Sequence, residues 1–104
     1  MGFSYQEKQE LIAELASSLA GEAEVVKVVV FGSFLKSDEP CDLDVAVFQD
    51  SHEAYLPLAL KYRRKTRHLA RRIALDIIPL RCGIQGNRML DEITRGRTIY
   101  ERRG

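Results

Sequence analysis

The sequence predicts an α/β (α+β) fold in which helices pack on a small mixed sheet. Three observations support this prediction. Several stretches have the spacing of amphipathic helices, short runs of β-branched and aliphatic residues alternate with them, and turn-forming residues separate the two kinds of segment. With 104 residues, the chain has the length of one small domain, residues 1–104.

The first two predicted elements are a helix and a central strand. Ser4 followed by Glu7 forms a capping-box pattern, and leucine and isoleucine then recur at helical spacing until Gly21, which is placed to end the helix. Residues 24–31 are an almost unbroken run of valines ending in Phe31. Such a run is typical of a strand that is covered on both faces.

The rest of the chain alternates strands with helices. The predicted elements are a short helix over 33–37, a strand over 43–48, a helix over 52–70, a strand over 73–80, a helix over 87–95 and an edge strand over 98–101. Pro57 lacks an N–H group, so we expect the regular part of its helix to start close to it.

The composition indicates a globular protein without a membrane span. Hydrophobic residues make up 45% of the chain and charged residues 30%. No apolar run approaches the roughly 20 residues that cross a bilayer, and the N-terminus lacks a signal-peptide pattern. We therefore expect a cytoplasmic protein. Cys41 and Cys82 have no zinc-ligand spacing, and we expect both to be free thiols.

Charge is divided unevenly along the chain. Residues 1–57 hold three lysines against eleven acidic residues, whereas residues 58–104 hold thirteen basic residues against four acidic ones. Within the second half, residues 61–72 carry seven lysines and arginines and no acid. One interpretation is a solvated face that the acidic half offsets. The alternative is a surface for phosphate, nucleic acid or an acidic protein.

Two carboxylates stand at the start of the second predicted strand. Asp42 and Asp44 are two residues apart, so their side chains share one face of that strand. Two like charges about 4 Å apart repel by about 4 kcal/mol at an effective dielectric constant of about 20. A divalent cation such as Mg²⁺ removes this cost, because carboxylate oxygens are its preferred ligands. The alternative to a metal site is that Asp42 and Asp44 belong to a solvated turn.

A Gly-Ser pair precedes these carboxylates, directly after the valine strand. Gly32 allows close approach of the backbone to a ligand, and we expect Ser33 to cap the short helix that follows. Free N–H groups and a hydroxyl at such a turn favour phosphate. A third carboxylate, Asp76, lies within the apolar run of the next strand. It would be costly to bury alone, so we expect either a metal or an arginine beside it.

Gly32 and Ser33, followed by Asp42 and Asp44 on the next strand and Asp76 on a later one, resemble the minimal nucleotidyltransferases, relatives of the polymerase β superfamily. The tail over residues 91–101 is similar to the usual ending of that family, so the resemblance covers nearly the whole chain.

Two features of this sequence depart from the family pattern. The spacer between Ser33 and Asp42 is short, and Phe34 stands where an arginine commonly follows the Gly-Ser pair.

The resemblance implies a polymerase β palm-like fold and an enzymatic site. Asp42, Asp44 and Asp76 would hold two Mg²⁺ ions, and Gly32 and Ser33 would bind the phosphates of ATP or another nucleoside triphosphate. Asp76 would also help to activate the acceptor hydroxyl.

The resemblance also implies an acceptor and a partner. Family members of this size are often encoded beside a small helical protein of the HEPN class, which the nucleotidyltransferase modifies as the antitoxin of a toxin–antitoxin pair. We therefore expect a protein adenylyltransferase. The alternatives are a binding module that neutralises or scaffolds such a partner without turnover and, with less support, nucleic-acid binding through residues 61–72. A homo-oligomer is also compatible with the sequence.

Overall fold

The computed structural model describes residues 2–103 and confirms an α/β architecture with a mixed sheet. The elements in chain order are α1 (Tyr5–Ala20), β1 (Val25–Phe31), β2 (Asp42–Gln49), α2 (Tyr55–Lys65), β3 (Ala74–Arg81), α3 (Leu90–Thr94) and β4 (Arg97–Glu101). Two short 3-10 turns, Gly32–Leu35 and Leu69–Arg71, follow β1 and α2.

The sheet has the strand order β3-β2-β1-β4. β2 and β3 run parallel and are joined by a crossover through α2, whereas β1 is antiparallel to both of its neighbours. The C-terminal end of β1 therefore meets the N-terminal ends of β2, β3 and β4. This end of the sheet is called the carboxylate end below, and the arrangement is consistent with a small nucleotidyltransferase-like fold.

The two faces of the sheet are covered unequally. α1 and α2 cover one face, and their buried side chains pack on inward-pointing residues of the strands. The main contributors are Leu11, Leu15, Leu19, Val28, Val30, Leu43, Val45, Leu58, Tyr62 and Ile77. The other face carries a smaller cluster, Val29, Phe31, Ala46, Leu80 and Ile93, in which only Ile93 comes from a helix. This second face is called the open face below.

The predicted capping of α1 is confirmed. The backbone N–H of Glu7 donates to Ser4 Oγ at 3.1 Å, and the N–H of Ser4 donates to Glu7 Oε1 at 2.9 Å. Gly21 ends the helix as predicted, with a φ of −72° that any residue can adopt.

Two helices are shorter than their sequence patterns predict. The helix predicted over 52–70 spans Tyr55–Lys65, because Thr66 is fully buried and its hydroxyl donates to the Tyr62 carbonyl at 2.9 Å. Such local side-chain bonds compete with regular helix. The helix predicted over 87–95 begins only at Leu90, because the Asn87 side chain accepts the N–H of Met89 at 2.8 Å and forms a turn instead.

Ion pairs join the acidic and basic halves of the chain at two places. The Lys61 ammonium lies 3.2 Å from Glu22 and 2.7 Å from Glu24, and Lys65 lies 3.3 Å from Glu22. Elsewhere, Arg102 pairs with Asp50 at 2.7 Å. The halves thus complement each other in part. In the part of the chain that the structure describes, no helix combines the length and apolar character needed to cross a membrane.

Candidate active site

The predicted carboxylates lie together at the carboxylate end of the sheet. Asp44 on β2 is the direct register partner of Asp76 on the parallel strand β3 and of Phe31 on β1. Asp42 stands two residues earlier, opposite Ala74. Since Leu43 points into the helix-covered core, the alternating pleat places the three carboxylates on the open face.

Gly32 lies close against the side chain of Asp44. Its φ is +81°, in the left-handed region that favours glycine, and it directly follows β1. A Cβ built on Gly32 would collide with Oδ2 of Asp44. The missing side chain therefore lets the Asp44 carboxylate lie directly against the turn.

The electrostatics of Asp44 differ from those of an ordinary surface carboxylate. Its pKa is raised, first because partial burial disfavours the ionised form and then because Asp76, Asp42 and Glu92 repel its charge. The site therefore concentrates negative charge that a cation would stabilise.

The donor chemistry fits a divalent cation such as Mg²⁺. Carboxylate oxygens are its preferred ligands, and the pKa of Asp44 is raised first by burial and then by repulsion from Asp76, Asp42 and Glu92, the part that a cation would relieve. Within residues 2–103, no three His, Cys, Asp or Glu side chains form a group that could hold a metal as they stand. Asp42, Asp44 and Asp76 remain the predicted ligands.

The turn after Gly32 is fixed by two contacts from other parts of the chain. Phe34 is fully buried in the core, and the Lys8 ammonium of α1 donates to the carbonyls of Phe34 and Ser37 at 2.8 Å and 2.5 Å. Ser33 remains exposed beside Gly32. The prediction that Ser33 caps a helix is wrong: the turn is a 3-10 turn that already begins at Gly32, and Ser33 lies inside it.

The structure adds three charged residues that the sequence analysis missed. Lys36, Glu92 and Arg95 line a shallow cleft beside Gly32. Lys36 follows the Gly-Ser pair closely and could have been identified from that spacing. Glu92 and Arg95 carry no such signal, because only the packing of the α3 segment near β1 brings them to the site.

A separate cavity lies away from the carboxylates. Its volume is about 670 Å³, and it is lined by residues from the end of β3, the start of α2 and the loop after β3, including Tyr55, Leu58, Pro79 and Ile84. None of the predicted site residues lines it. The candidate site is instead a shallow, charged surface on the open face of the sheet.

No protein-family model matches this chain, and no curated protein matches it either. The functional argument therefore rests on the residues and on their geometry.

Proposed function

We propose that this chain is a Mg²⁺-dependent nucleotidyltransferase that moves a nucleoside monophosphate, AMP from ATP, onto a hydroxyl of a partner protein. The observation that carries the proposal is the contact between a left-handed glycine and a carboxylate. Gly32 brings its turn directly against Asp44, and Asp44 lies opposite Asp76 on the parallel strand. This contact supports the proposal, because it brings the turn that we assign to phosphate beside two of the carboxylates that we assign to the cation.

Each residue of the site has a role in this proposal. Gly32 and Ser33 bind the phosphates of the nucleotide, because the Ser33 hydroxyl is exposed and the N–H groups at the start of such a turn favour phosphate. Lys36 and Arg95 add positive charge beside the same turn. These two cations replace the arginine that commonly follows the Gly-Ser pair in the family, since Phe34 is buried and cannot reach a ligand.

The proposed reaction is an in-line displacement at the α-phosphate. The acceptor oxygen forms a bond to the α-phosphorus, the bond from that phosphorus to the bridging oxygen breaks, and pyrophosphate leaves with the electron pair. Asp76 accepts the proton of the acceptor hydroxyl. When bound by Asp42, Asp44 and Asp76, Mg²⁺ neutralises phosphate charge. The protein contributes mainly positioning and electrostatic stabilisation.

The acceptor in this proposal is a small helical protein of the HEPN class, and the chain acts in the cytoplasm as the antitoxin of the pair. The resemblance supports this assignment. The site supports it as well, because a shallow surface on an open sheet face suits a macromolecule that brings its own hydroxyl.

Thermal unfolding with Mg²⁺ and each nucleoside triphosphate tests the nucleotide site. A ligand at about 100 times its dissociation constant stabilises a protein by about 2.7 kcal/mol, which appears as several degrees in a domain of this size. We expect the wild type to respond only to metal and nucleotide together. Asp44→Asn should lose the response, whereas Asp38→Asn, an exposed carboxylate outside the site, should keep it. A wild type that ignores every nucleotide contradicts the proposal.

A second candidate function is a binding module without turnover. Phe34 favours this binding module, because a buried phenylalanine stands where an arginine commonly follows the Gly-Ser pair, and it offers no positive charge to the triphosphate. Nucleotidyl transfer requires Asp44, whereas binding without turnover does not. Transfer of label from the α-phosphate of ATP to a co-purified partner should vanish in Asp44→Asn if the chain is an enzyme. Partner neutralisation that survives this substitution favours the binding module.

A further inference from the structure

The arginines of residues 61–72 are not balanced by the acidic half of the chain. Glu22 and Glu24 pair with Lys61 and Lys65 and therefore offset the two lysines of the basic segment. The five arginines of the same segment form no salt bridge within residues 2–103, and all five are exposed. They are Arg63, Arg64, Arg67, Arg71 and Arg72. Like charges this close repel one another, so a negatively charged ligand would stabilise the segment.

Exposed basic residues alternate with buried residues along this segment. Tyr62, Thr66, Leu69 and Ile73 are buried, although the helix itself ends at Lys65 and a 3-10 turn follows at Leu69–Arg71. Between these buried residues, Arg64, Arg67, His68 and Arg71 are all exposed. These four residues are called the arginine stripe below.

The arginine stripe leads toward the candidate active site. Arg71 lies three residues before Ala74, which starts β3 opposite Asp42. The Leu69–Arg71 turn, which contains Arg71, packs against α1. α1 in turn holds the Gly32–Leu35 turn through Lys8. The stripe and the carboxylates therefore lie toward the same end of the molecule.

We propose that the arginine stripe binds a single-stranded nucleic acid through its phosphates. The guanidinium group is a planar fork of donors that matches phosphate oxygens, and an exposed imidazole such as His68 can stack on a base. Interfaces with nucleic acid are polar and strongly basic, whereas the centre of a protein interface is largely apolar. The exposed residues from 63 to 72 include no large apolar side chain, which favours nucleic acid over an acidic protein. This surface is separate from the nucleotide site and goes beyond the proposed function.

Fluorescence anisotropy with labelled oligouridylate and oligothymidylate tests the proposal. The stripe variant is Arg64→Gln/Arg67→Gln/Arg71→Gln. The control variant is Arg81→Gln/Arg88→Gln/Arg103→Gln, which removes the same charge from other exposed arginines. Three phosphate contacts to a single strand predict a slope of about −2 for log affinity against log salt concentration, or roughly a 20-fold loss between about 50 and 200 mM salt. We expect this slope in the wild type and in the control variant. The stripe variant should bind at least tenfold more weakly, with a flatter slope.

The other outcomes overturn the proposal. Absence of binding to both oligonucleotides at low salt excludes the site, and equal weakening by the two variants indicates a nonspecific charge effect. Tighter binding to polyglutamate, or binding that requires the exposed Leu56 and Leu60 of α2, indicates an acidic protein instead. The affinities for oligouridylate and oligothymidylate show whether the arginine stripe prefers RNA or DNA. Because the assay contains no nucleoside triphosphate and no Mg²⁺, a failure to bind oligonucleotides leaves the proposed nucleotidyl transfer unaffected.

Discussion

Replacement of Gly32 by alanine tests whether the site depends on the close contact between this turn and Asp44. The substitution has two costs. A residue with a Cβ pays about 1–2 kcal/mol to adopt the left-handed conformation that φ +81° requires. The new methyl group also collides with Asp44 Oδ2, and rotating that carboxylate away from its preferred conformation costs about 0.5–1.5 kcal/mol. We therefore expect Gly32→Ala to lower the free energy of unfolding by about 1.5–3.5 kcal/mol.

Two other glycines separate these costs. Gly83 has the same φ of +81°, but a Cβ there would meet nothing within 4 Å, so Gly83→Ala should cost only the conformational part, about 1–2 kcal/mol. Gly21 has an ordinary φ of −72° and equally free surroundings. Gly21→Ala should be neutral or should stabilise by up to about 1 kcal/mol, because alanine restricts the unfolded chain.

Urea unfolding followed by circular dichroism measures all three variants. The decisive comparison adds Asp44→Ala, which removes the carboxylate that the new methyl group would meet. In that background, Gly32→Ala should cost no more than Gly83→Ala does in the wild type. If the cost of Gly32→Ala is the same with and without the Asp44 carboxylate, the two groups are not in contact. The geometric basis of the proposed site is then wrong.

Three further predictions concern charges and hydrogen bonds. The pKa of Asp44 is raised in the folded state, so the folded protein binds a proton more readily than the unfolded chain. The free energy of unfolding therefore falls as the pH rises from the ordinary pKa, near 3.8, through the raised pKa of the folded state. Asp44→Asn should therefore be more stable than the wild type at neutral pH, by about 0.5–1 kcal/mol for screened like charges, and the difference should vanish in acid unfolding curves below the ordinary pKa. Tyr62→Phe removes the buried hydroxyl that donates to Glu24 at 2.8 Å and should cost about 1.5–3 kcal/mol by urea unfolding, whereas Tyr5→Phe, at an exposed position, should be neutral. Lys8→Met leaves the carbonyls of Phe34 and Ser37 without their donor, so it should lower stability by about 1–3 kcal/mol and weaken the thermal response to Mg²⁺ and nucleotide. An unchanged response would show that Lys8 does not hold the turn.

The strands and the first helix could be predicted because their signals are local. The valine run of β1 and the Ser4–Glu7 capping box each need only neighbouring residues. The alternation of β2 likewise predicted that Asp42 and Asp44 share a face. By contrast, the early end of α2 depends on the burial of Thr66, which no local pattern reveals.

The residues of the site could be predicted only in part, because some of them come together through tertiary contacts. The register that sets Asp44 opposite Asp76 is a property of two parallel strands separated by a helix. The approach of Glu92 and Arg95 to Gly32 depends on the packing of the α3 segment. A motif can indicate which residues carry the chemistry, but their supporting charges come from tertiary contacts.

The carboxylate end of the sheet links stability to the proposed function. In the free protein, Asp44 is held near Asp76, Asp42 and Glu92, although this repulsion costs folding energy. The fold does not relieve that cost with a basic side chain: the four salt bridges within residues 2–103 all lie elsewhere. Burial of Phe34 and the bonds from Lys8 nevertheless fix the turn beside Asp44. A site that keeps its negative charge unpaired, on a rigid support, gains the most from a divalent cation, because binding then removes a repulsion that is already present.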